Sequence, residues 1–454
     1  THGPEELVPV ADAGPDAETC YTQCSLDGRS VVDSCTGAEV EKCADDLACG
    51  AAKCQKPCDA AAADRSSNGC DFYFSAPRFT ASYPQSCHAA FVVNTSNQPA
   101  TVTLEREGVA LDLSHSLFRA VPNSTDLEPL AGPIPPGESA ILFVADWDPT
   151  KQRESWDRSD HTSCPTEAKP ALEADFQLFS SGIGDAFRLK SNVPVGVTWM
   201  YPYGGAGTHF PTATLVLPVS AWAKEHVVVN GWETSGFGTP ATQIFAAEDD
   251  TEVTILGNKD VGSGDGFTGA AAGMPAKIML SKGQFAQIVQ SQELTGSFVF
   301  SNKPTVTLGG QECVFLPTGV GTCDTLAQQI PPFEQWGSEY VTGAHKAERH
   351  ACVGVGEQDR ARRRAMAGVG ERSALRSLLV RARRLPVATG DDRGDTSTSR
   401  RIPVRRSTRA ARARDGAGGR PWIRRHARDE GRVRGGPRRA ECPCRTAELQ
   451  GGHQ

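Results

Sequence analysis

The sequence has neither long apolar runs nor the short motifs on which common enzyme classes depend. No stretch of about 18 apolar residues, the minimum for a membrane-spanning helix, occurs in the chain. There is no Gly-x-Ser-x-Gly elbow, no His-Glu-x-x-His pair and no phosphate-binding loop. Helical periodicity of useful length is absent as well. We therefore predict a protein without enzymatic activity, catalytic residues or cofactors.

Phe and Tyr are missing from the C-terminal part of the chain, which has one aromatic residue, Trp422. All 18 Phe and all 6 Tyr precede Thr342, whereas residues 343–454 contain 27 Arg and a single Lys. Residues 1–342 carry 19 Lys and Arg against 42 Asp and Glu, and residues 343–454 carry 28 against 12. A segment so poor in apolar side chains cannot bury enough area to offset its conformational entropy. We expect an acidic folded part followed by a disordered basic tail at 343–454.

Cysteine is concentrated near the N-terminus. Residues 1–19, rich in Pro, Ala, Gly and acidic side chains, predict a solvated tether. The next segment, 20–70, holds eight cysteines but is too small and polar for a core, which predicts a disulfide knot in an oxidising compartment. These cysteines are Cys20, Cys24, Cys35, Cys43, Cys49, Cys54, Cys58 and Cys70. Zinc is the alternative because Cys-x3-Cys occurs twice, but the spacings are irregular and the neighbours acidic. The pairing within the knot stays open.

Residues 71–342 have the pattern of an all-β domain. Short β-branched runs alternate with Gly, Pro and Asn, as in HAAFVVNTSNQPATVTLE at 88–105. Such punctuation is typical of short strands in a sandwich or barrel. We expect less than about a tenth of the domain to be helical, against a base rate near a third.

Two parts of this domain resemble each other. The matching segments are RLKSNVPVGVT (188–198) with FVFSNKPTVTL (298–308), and TLVLPVSAWAKEHVV (214–228) with LAQQIPPFEQWGSEYV (326–341). They align Pro218 with Pro331 and predict two tandem β-rich repeats, the first enlarged by a polar insertion at 145–185. The repeats are expected to be sandwich-like, with a propeller-like arrangement as the alternative. The second is expected to be truncated at its end.

The prolines of the duplicated Ser-Asn-x-Pro segments carry a further expectation. Pro194 and Pro304 lack a backbone N–H, so neither can donate to a strand ladder. We expect both to lie at strand ends, in equivalent places of the two repeats.

Six motifs of the acidic part occur in the order found in a known family. They are NGCDFYF, SNVPVGVTWMYP, ATLVLPVSAW, FAAEDDTEVTI, SNKPTVTLGGQEC and TCDTLAQQIPPFEQWGSEYV. Over about 69–342 the chain therefore resembles the IgGFc-binding protein N-terminal domain family, found in animal mucus proteins and exported bacterial proteins. The resemblance implies an exported bacterial binding or adhesion protein; the family name reflects immunoglobulin Fc binding by an animal member. The family commonly has His where Gln311 stands, so a role for that imidazole does not carry over.

The resemblance also implies two disulfides in the β domain. They join Cys313 to Cys323 and Cys87 to Cys164. With the knot, these pairs account for all twelve cysteines before Thr342.

Two groups of residues are candidates for binding. Trp199, Tyr201 and Tyr203 form an aromatic cluster that could contact a ligand, with core or strand-end packing as the alternative. Asp260 and Asp265, in the loop GNKDVGSGDG, could offer oxygen ligands to calcium. That loop lacks EF-hand spacing, which favours a plain hairpin loop, and we assign no metal.

The function that these features favour is an extracellular or cell-surface binding or adhesion protein with an unidentified protein or glycan partner. Lectin-like glycan binding is one alternative. Binding of a polyanion or nucleic acid through the basic tail is the other; we expect no nucleic-acid partner, because that tail looks foreign to the domain. The chain has no Met at position 1, and we expect a processed or truncated piece with its export signal, and any lipid anchor to a membrane, upstream.

The tail itself is expected to be the product of a shifted reading frame in GC-rich DNA. The composition changes abruptly at 343, and the strand motif that follows Trp222 has no counterpart after Trp336. Cys352, Cys442 and Cys444 are odd in number and have no evident partners.

Deleting residues 343–454 should leave the melting temperature of the remaining chain unchanged, since the tail contributes no core. Differential scanning calorimetry of the two lengths measures this. A cooperative loss of stability on deletion, or tail peptides in a mass spectrum of the native protein, would contradict a misread tail.

Overall fold

The computed structural model describes residues 20–78, 85–122, 124–151, 162–204, 211–234, 238–315 and 323–337. The tether and the basic tail lie outside these ranges, so the expectations for them stay predictions.

The described residues form 23 strands and one α-helix, α1 (Pro57–Asp64). In the knot and repeat 1 the strands are β1 (Thr22–Cys24), β2 (Ser30–Asp33), β3 (Glu39–Lys42), β4 (Ala48–Gly50), β5 (Lys53–Gln55), β6 (Gly69–Phe74), β7 (His88–Asn94), β8 (Val102–Arg106), β9 (Val109–Leu111), β10 (Leu117–Ala120), β11 (Leu127–Pro129), β12 (Ser139–Asp146), β13 (Leu172–Glu173), β14 (Gly182–Asp185), β15 (Phe187–Tyr201) and β16 (Thr212–Val216). In repeat 2 they are β17 (Ala223–Val227), β18 (Pro240–Ala246), β19 (Thr251–Leu256), β20 (Pro275–Leu280), β21 (Gln284–Val289), β22 (Phe298–Val314) and β23 (Asp324–Ile330). The all-β prediction is confirmed. Helix α1 has eight residues, and among the described residues no helix is long and apolar enough to cross a membrane.

The knot is a small sheet, β1-β2-β3, beside the hairpin β4-β5 and helix α1. Four disulfides close it: Cys20–Cys35, Cys24–Cys49, Cys43–Cys54 and Cys58–Cys70. The last of these ties α1 to the first strand of repeat 1. The guanidinium of Arg65 donates to the carbonyl of Trp222 at 3.2 Å, and Gln98 of repeat 1 donates to the carbonyl of Asp45 at 3.2 Å. The knot is therefore fixed to the β domain by polar contacts as well as by a covalent bridge.

The two predicted repeats are confirmed by the strand order of two separate sheets. One sheet runs β12-β7-β15-β8-β9 and the other β21-β18-β22-β19-β20. In each, two further strands join the long central strand: β6 and β16 pair with β15, and β17 and β23 pair with β22. The sheets curl, and with ten and eight strands they are not the four-stranded blades of a propeller.

The long strand of each repeat changes its neighbours in mid-course. The first half of β15 pairs with β8 and β6, and the second half pairs with β7 and β16. Residues 192–194, between the two halves of β15, have no ladder partner; we call this unpaired stretch the joint. Residues 302–304 form the equivalent joint in β22. The expectation that Pro194 and Pro304 end strands is wrong. Each proline lies inside a continuous strand, at the joint where no ladder bond is required of it.

The asparagine of each Ser-Asn-x-Pro segment holds the joint. The Asn192 side-chain oxygen accepts from the Thr101 N–H at 2.6 Å, and its amide nitrogen donates to the Pro99 carbonyl at 3.3 Å. In repeat 2, Asn302 makes the same two bonds, at 2.9 and 3.0 Å, with the N–H of Glu252 and the carbonyl of Asp250.

A second pair of equivalent features follows the last strand of each repeat. Trp222 and Trp336 each end a short 3-10 turn, and their ring N–H groups donate to the carbonyls of Leu217 at 3.0 Å and Pro331 at 2.9 Å. The turn begins after Pro218 in repeat 1 and after Pro332 in repeat 2. The alignment of Pro218 with Pro331 is therefore one residue out of register.

The repeats share one core. Phe187 and Trp199 of repeat 1 belong to the same buried cluster as Phe245 and Phe285 of repeat 2, the last two stacked at 5.2 Å. Fully burying a side chain of the size of Phe contributes roughly 1.5–3 kcal/mol. Strand β14 of repeat 1 also pairs with the edge strand β21 of repeat 2. The two repeats thus form one folded unit rather than two independent domains.

Glutamine side chains of repeat 2 bind the backbone of repeat 1 across this shared core. Gln329 accepts from the N–H of Leu217 at 2.7 Å, and Gln243 donates to the carbonyl of Ala76 at 3.0 Å. A buried backbone group without a partner costs about 1–3 kcal/mol, so these amides satisfy chain segments that join no sheet.

Replacing Asn192 or Asn302 by Ala should each destabilise the protein by about 1 kcal/mol, because each change removes two hydrogen bonds at a partly exposed site. The double variant should lose about 2 kcal/mol, since the residues lie in different sheets and share no partner. Urea denaturation measures the free energies of unfolding. Lys190→Ala, an exposed change on the same strand as Asn192, is the control and should lie within about 0.5 kcal/mol of the parent. Asparagine variants as stable as this control would contradict the role of the amides.

Candidate binding face at the loop end of the two repeats

The irregular connections of both repeats gather where the long strands β15 and β22 finish. We call the described residues there the loop face: 85–87, 147–151, 162–171 and 202–204 in repeat 1, and 231–234, 238–239, 290–293 and 314–315 in repeat 2. Within each repeat the strand registers place these connections together, because Tyr201 pairs with the start of β16 and Gln311 with the starts of β18 and β23. Loops carried at one end of a rigid sheet scaffold are the usual position of binding residues.

Each repeat has one disulfide at this end. Cys87, just before β7, is bridged to Cys164 in the long connection that follows β12. Cys313, near the end of β22, is bridged to Cys323, just before β23. Both bridges are buried and fasten loops to strands.

A buried glutamine fastens the loop face of repeat 1. The amide nitrogen of Gln85 donates to the carbonyls of Asp146 at 2.8 Å and Ala174 at 2.7 Å. Its oxygen accepts from the N–H of Phe176 at 2.7 Å and of Gln177 at 3.2 Å. One side chain thereby satisfies four backbone groups, one at the end of β12 and three in the segment 174–177.

Tyr201 and Gln311 occupy equivalent positions at the ends of the long strands. The Tyr201 hydroxyl accepts from the N–H of Ser86 at 2.9 Å and donates to Gln177 at 3.0 Å. The Gln311 amide donates to the carbonyl of Glu233 at 3.2 Å. The Tyr201 side chain thus holds the segment that contains Ser86 against β15. The Gln311 side chain holds the segment that contains Glu233 against β22. Burial raises the pKa of the Tyr201 hydroxyl, so it remains protonated over the working range.

A buried ion pair joins the loop ends of the two repeats. Arg78, in the segment that leads to the loop face of repeat 1, pairs with Glu312 of repeat 2. Their side chains are 14% and 3% exposed. The Glu312 carboxylate also accepts from the N–H of Thr239 at 3.2 Å, and Arg78 donates to the carbonyl of Phe179 at 3.2 Å. Burial raises the pKa of Glu312, while Arg78 opposes that rise. Removing either partner would leave a buried charge alone, which is strongly destabilising.

The outer surface of the loop face combines aromatic and acidic side chains. Four aromatic residues are half-buried there: Trp147, Tyr203, Trp232 and Phe315. Exposed acids of the same face include Glu167 and Glu233. Aromatic residues at half-exposed positions are enriched in protein interfaces, because they combine a large apolar area with a polar edge.

The structure separates the three aromatic residues singled out in the sequence. Trp199 and Tyr201 are fully buried, and the rings of both pack in the core of repeat 1. A ring without exposed area cannot meet a ligand from solvent, so the ligand-binding hypothesis is wrong for these two and core packing applies. Tyr203 is half-buried, packs on Phe143 at 5.0 Å and belongs to the loop face.

The two aspartates considered for calcium lie outside the loop face as defined, in the connection between β19 and β20, although the carbonyl of Asp260 accepts from the side-chain amide of Gln290 at 2.9 Å. Asp260 accepts from the N–H of Ala272 at 2.8 Å, a contact typical of a hairpin loop. Asp265 pairs through its backbone with Gly182. Among the described residues, one group has metal-ligand geometry, Cys20, Asp33 and Cys35, but its two sulfur atoms are bonded to each other. The zinc alternative for the knot is therefore set aside in favour of disulfides.

Sequence reasoning missed the residues that fasten the loop face. Gln85 and Arg78 stand in no motif, and although Glu312 stands in SNKPTVTLGGQEC, its partner Arg78 is far from it in sequence. A signal existed for the joint asparagines, because they recur in both Ser-Asn-x-Pro segments. A signal for burial also existed, since Val195, Val197, Trp199 and Tyr201 alternate along one face of a strand.

Comparison with known proteins gives one family. The sequence model of the IgGFc binding protein family matches residues 212–364. This range contains all of repeat 2, begins well after residue 69 and runs past Thr342 into the first residues of the basic tail. No solved structure shows significant similarity to the chain.

A human protein is also similar to part of the chain. It is the IgGFc-binding protein of Homo sapiens, 27% identical over 128 residues, which are 28% of this chain. The match covers 2% of the human protein, so this chain corresponds to a small part of it. The part of the chain at residues 212–364 is thus assigned to the IgGFc binding protein family.

Proposed function

We propose that the chain is an extracellular binding protein that holds a protein partner on its loop face. The observation that carries this proposal is the duplication of the loop end. Each repeat gathers its irregular connections at the finish of its long strand and fastens them with one disulfide and a buried hydrogen-bonding side chain. A scaffold that fixes the bases of its loops while leaving their outer side chains exposed suits binding more than catalysis.

The composition of the loop face favours a protein partner. Half-buried Trp147 and Trp232 offer apolar area that a partner could cover completely. Buried aromatic anchors of this kind usually dominate binding energy, whereas exposed rim charges mostly affect association rate. The lectin-like alternative has less support, because Trp199 and Tyr201, two of its three aromatic candidates, belong to the core.

The disulfides support an oxidising location. Six bridges in one chain are typical of secreted or surface-exposed proteins rather than cytosolic ones. An adhesive role at a bacterial cell surface, with attachment by an upstream lipid anchor, agrees with this location. Immunoglobulin Fc is the specific partner to test first, since the name of the human relative states Fc binding.

Purified IgG Fc flowed over the immobilised full chain should bind, and Trp147→Ala or Trp232→Ala should weaken binding at least tenfold, about 1.4 kcal/mol. Surface plasmon resonance measures the dissociation constants. Each tryptophan presents apolar area to the partner, Trp147 from repeat 1 and Trp232 from repeat 2, so each replacement should weaken binding.

Met279→Ala is the matched control, because Met279 is 54% exposed on β20, outside the loop face. It should leave Fc binding unchanged. Absence of binding at about 10 μM Fc would remove Fc as the partner, since protein interfaces of standard size usually reach at least this affinity. Binding weakened by Met279→Ala but not by the tryptophan variants would remove the loop face as the site.

A further inference from the structure

A histidine lies at the base of the loop face in surroundings that suit only its neutral form. His88 is the first residue of β7, directly after the bridged Cys87, and its side chain is fully buried. Neither ring nitrogen has a hydrogen-bond partner among the described residues. Buried polar groups are nearly always paired, so an unpaired buried imidazole is unusual.

Aromatic rings surround this imidazole. Five rings of the part of the chain that the structure describes lie with centroids 5.7 to 6.1 Å from that of His88: Phe74, Phe176, Phe187, Trp199 and Tyr201. The Phe176 ring stacks on the imidazole, and the other four present edges or faces nearly at right angles. These rings exclude water and provide no strong acceptor for a second proton.

Few titratable or charged groups lie on the elements packed against His88. Strand β15 contributes the Tyr201 hydroxyl, which is engaged with Ser86 and Gln177. Strand β12 contributes Asp146, whose carboxylate oxygens accept from the N–H groups of Trp147 and Cys164, both at 2.7 Å. The segment with Phe176 contributes the exposed Asp175. Strand β6 carries Asp71 and Tyr73, which contact Arg188, and places Phe74 against the imidazole.

Strand β8 adds a cation on the far side of one ring. Arg106 lies 5.9 Å from the centre of the Phe187 ring and pairs with Glu107. A positive charge there does not favour an imidazolium. Burial lowers the pKa of His88 to about 3.

The neighbours of His88 are the residues that fasten the loop face of repeat 1. Ser86 is held by Tyr201, and Gln85 holds Phe176 and Gln177. Opening a path for water to the imidazole requires displacing Phe176 or the strand start at His88. Either movement loosens these fastenings.

We propose that His88 is an acid-sensitive switch that keeps the loop face of repeat 1 assembled while its imidazole is neutral and opens it on acidification. Release of a bound partner at acid pH rests on the proposed function; opening of the loop face does not. An imidazole that is exposed in the open form and buried in the closed form takes up its proton in the open form first. The open form is therefore favoured as pH falls from about 6.5, the ordinary pKa of His.

The sign of the linkage follows from proton counts. Between about pH 6.5 and the lowered folded value, the open state binds one more proton than the closed state. Stability of the closed state is complete above this window and is lost as pH falls through it. The opening equilibrium should approach a tenfold rise for each pH unit below about 6, which amounts to about 50-fold between pH 6.5 and 4.5.

Amide hydrogen exchange of the full chain, without any partner, tests the switch. After correction for intrinsic rates, protection of 85–87 and 162–177 should fall about 50-fold between pH 6.5 and 4.5. In His88→Phe the same protection should not depend on pH, because Phe has the aromatic character of the cage and no proton to gain. Unchanged protection in the parent protein would overturn the proposal even if the variant failed to fold.

Three controls separate His88 from other groups. His115→Gln removes an exposed histidine of the same repeat and should retain the fall in protection. Asp146→Asn removes the carboxylate nearest the cage and should retain it as well. His226 lies in β17 of repeat 2, where burial lowers its pKa to about 4 and its ring contacts the Ala223 carbonyl at 3.1 Å. Because no variant changes His226, any effect of its titration appears equally in all of them. A fall in protection that disappears in Asp146→Asn but persists in His88→Phe would assign the switch to the carboxylate and overturn the proposal.

Discussion

Each repeat depends on one long strand that changes partners at a joint held by an asparagine amide. Asn192 and Asn302 bind the chain where β8 and β19 begin, which fixes the point where one set of neighbours gives way to the other. The sheet therefore curls around the joint, and both halves remain hydrogen-bonded to the same backbone. Because the long strands then finish at the same end of their sheets, the irregular connections of both repeats collect there.

The repeats keep this plan while changing the side chains that complete it. Trp199 fills the core of repeat 1, whereas Gly309 stands at the equivalent position of repeat 2. A Cβ at Gly309 would lie 1.6 Å from the carbonyl oxygen of Val229, so a glycine is required where the crossing segment touches the long strand. Tyr201 and Gln311 likewise both bind a loop-face segment to the long strand, Tyr201 through its hydroxyl and Gln311 through its side-chain amide. The plan is thus set by backbone pairing, and the sequence of each loop end is free to diverge.

The sequence alone predicts the β class, the duplication and the disulfide knot, because these leave local patterns of alternation, spacing and composition. It misplaced Pro194 and Pro304, since a strand that continues through an unpaired joint looks in sequence like two strands with ends. It also offered Trp199 and Tyr201 as ligand contacts, although their alternation with Val195 and Val197 indicates one buried face. Gln85 and the pair Arg78 and Glu312 were beyond prediction, because their partners are backbone groups or side chains distant in sequence.

The most direct test of this account is amide exchange at Thr101 and Glu252, whose N–H groups donate to the two joint asparagines. Measured by nuclear magnetic resonance on the free protein, both amides should be protected, and exchange of 187–191 and 195–201 should be equally slow on the two sides of the joint. Free exchange at Thr101 and Glu252, with the halves of β15 opening independently, would contradict the claim that one bent strand unites each repeat.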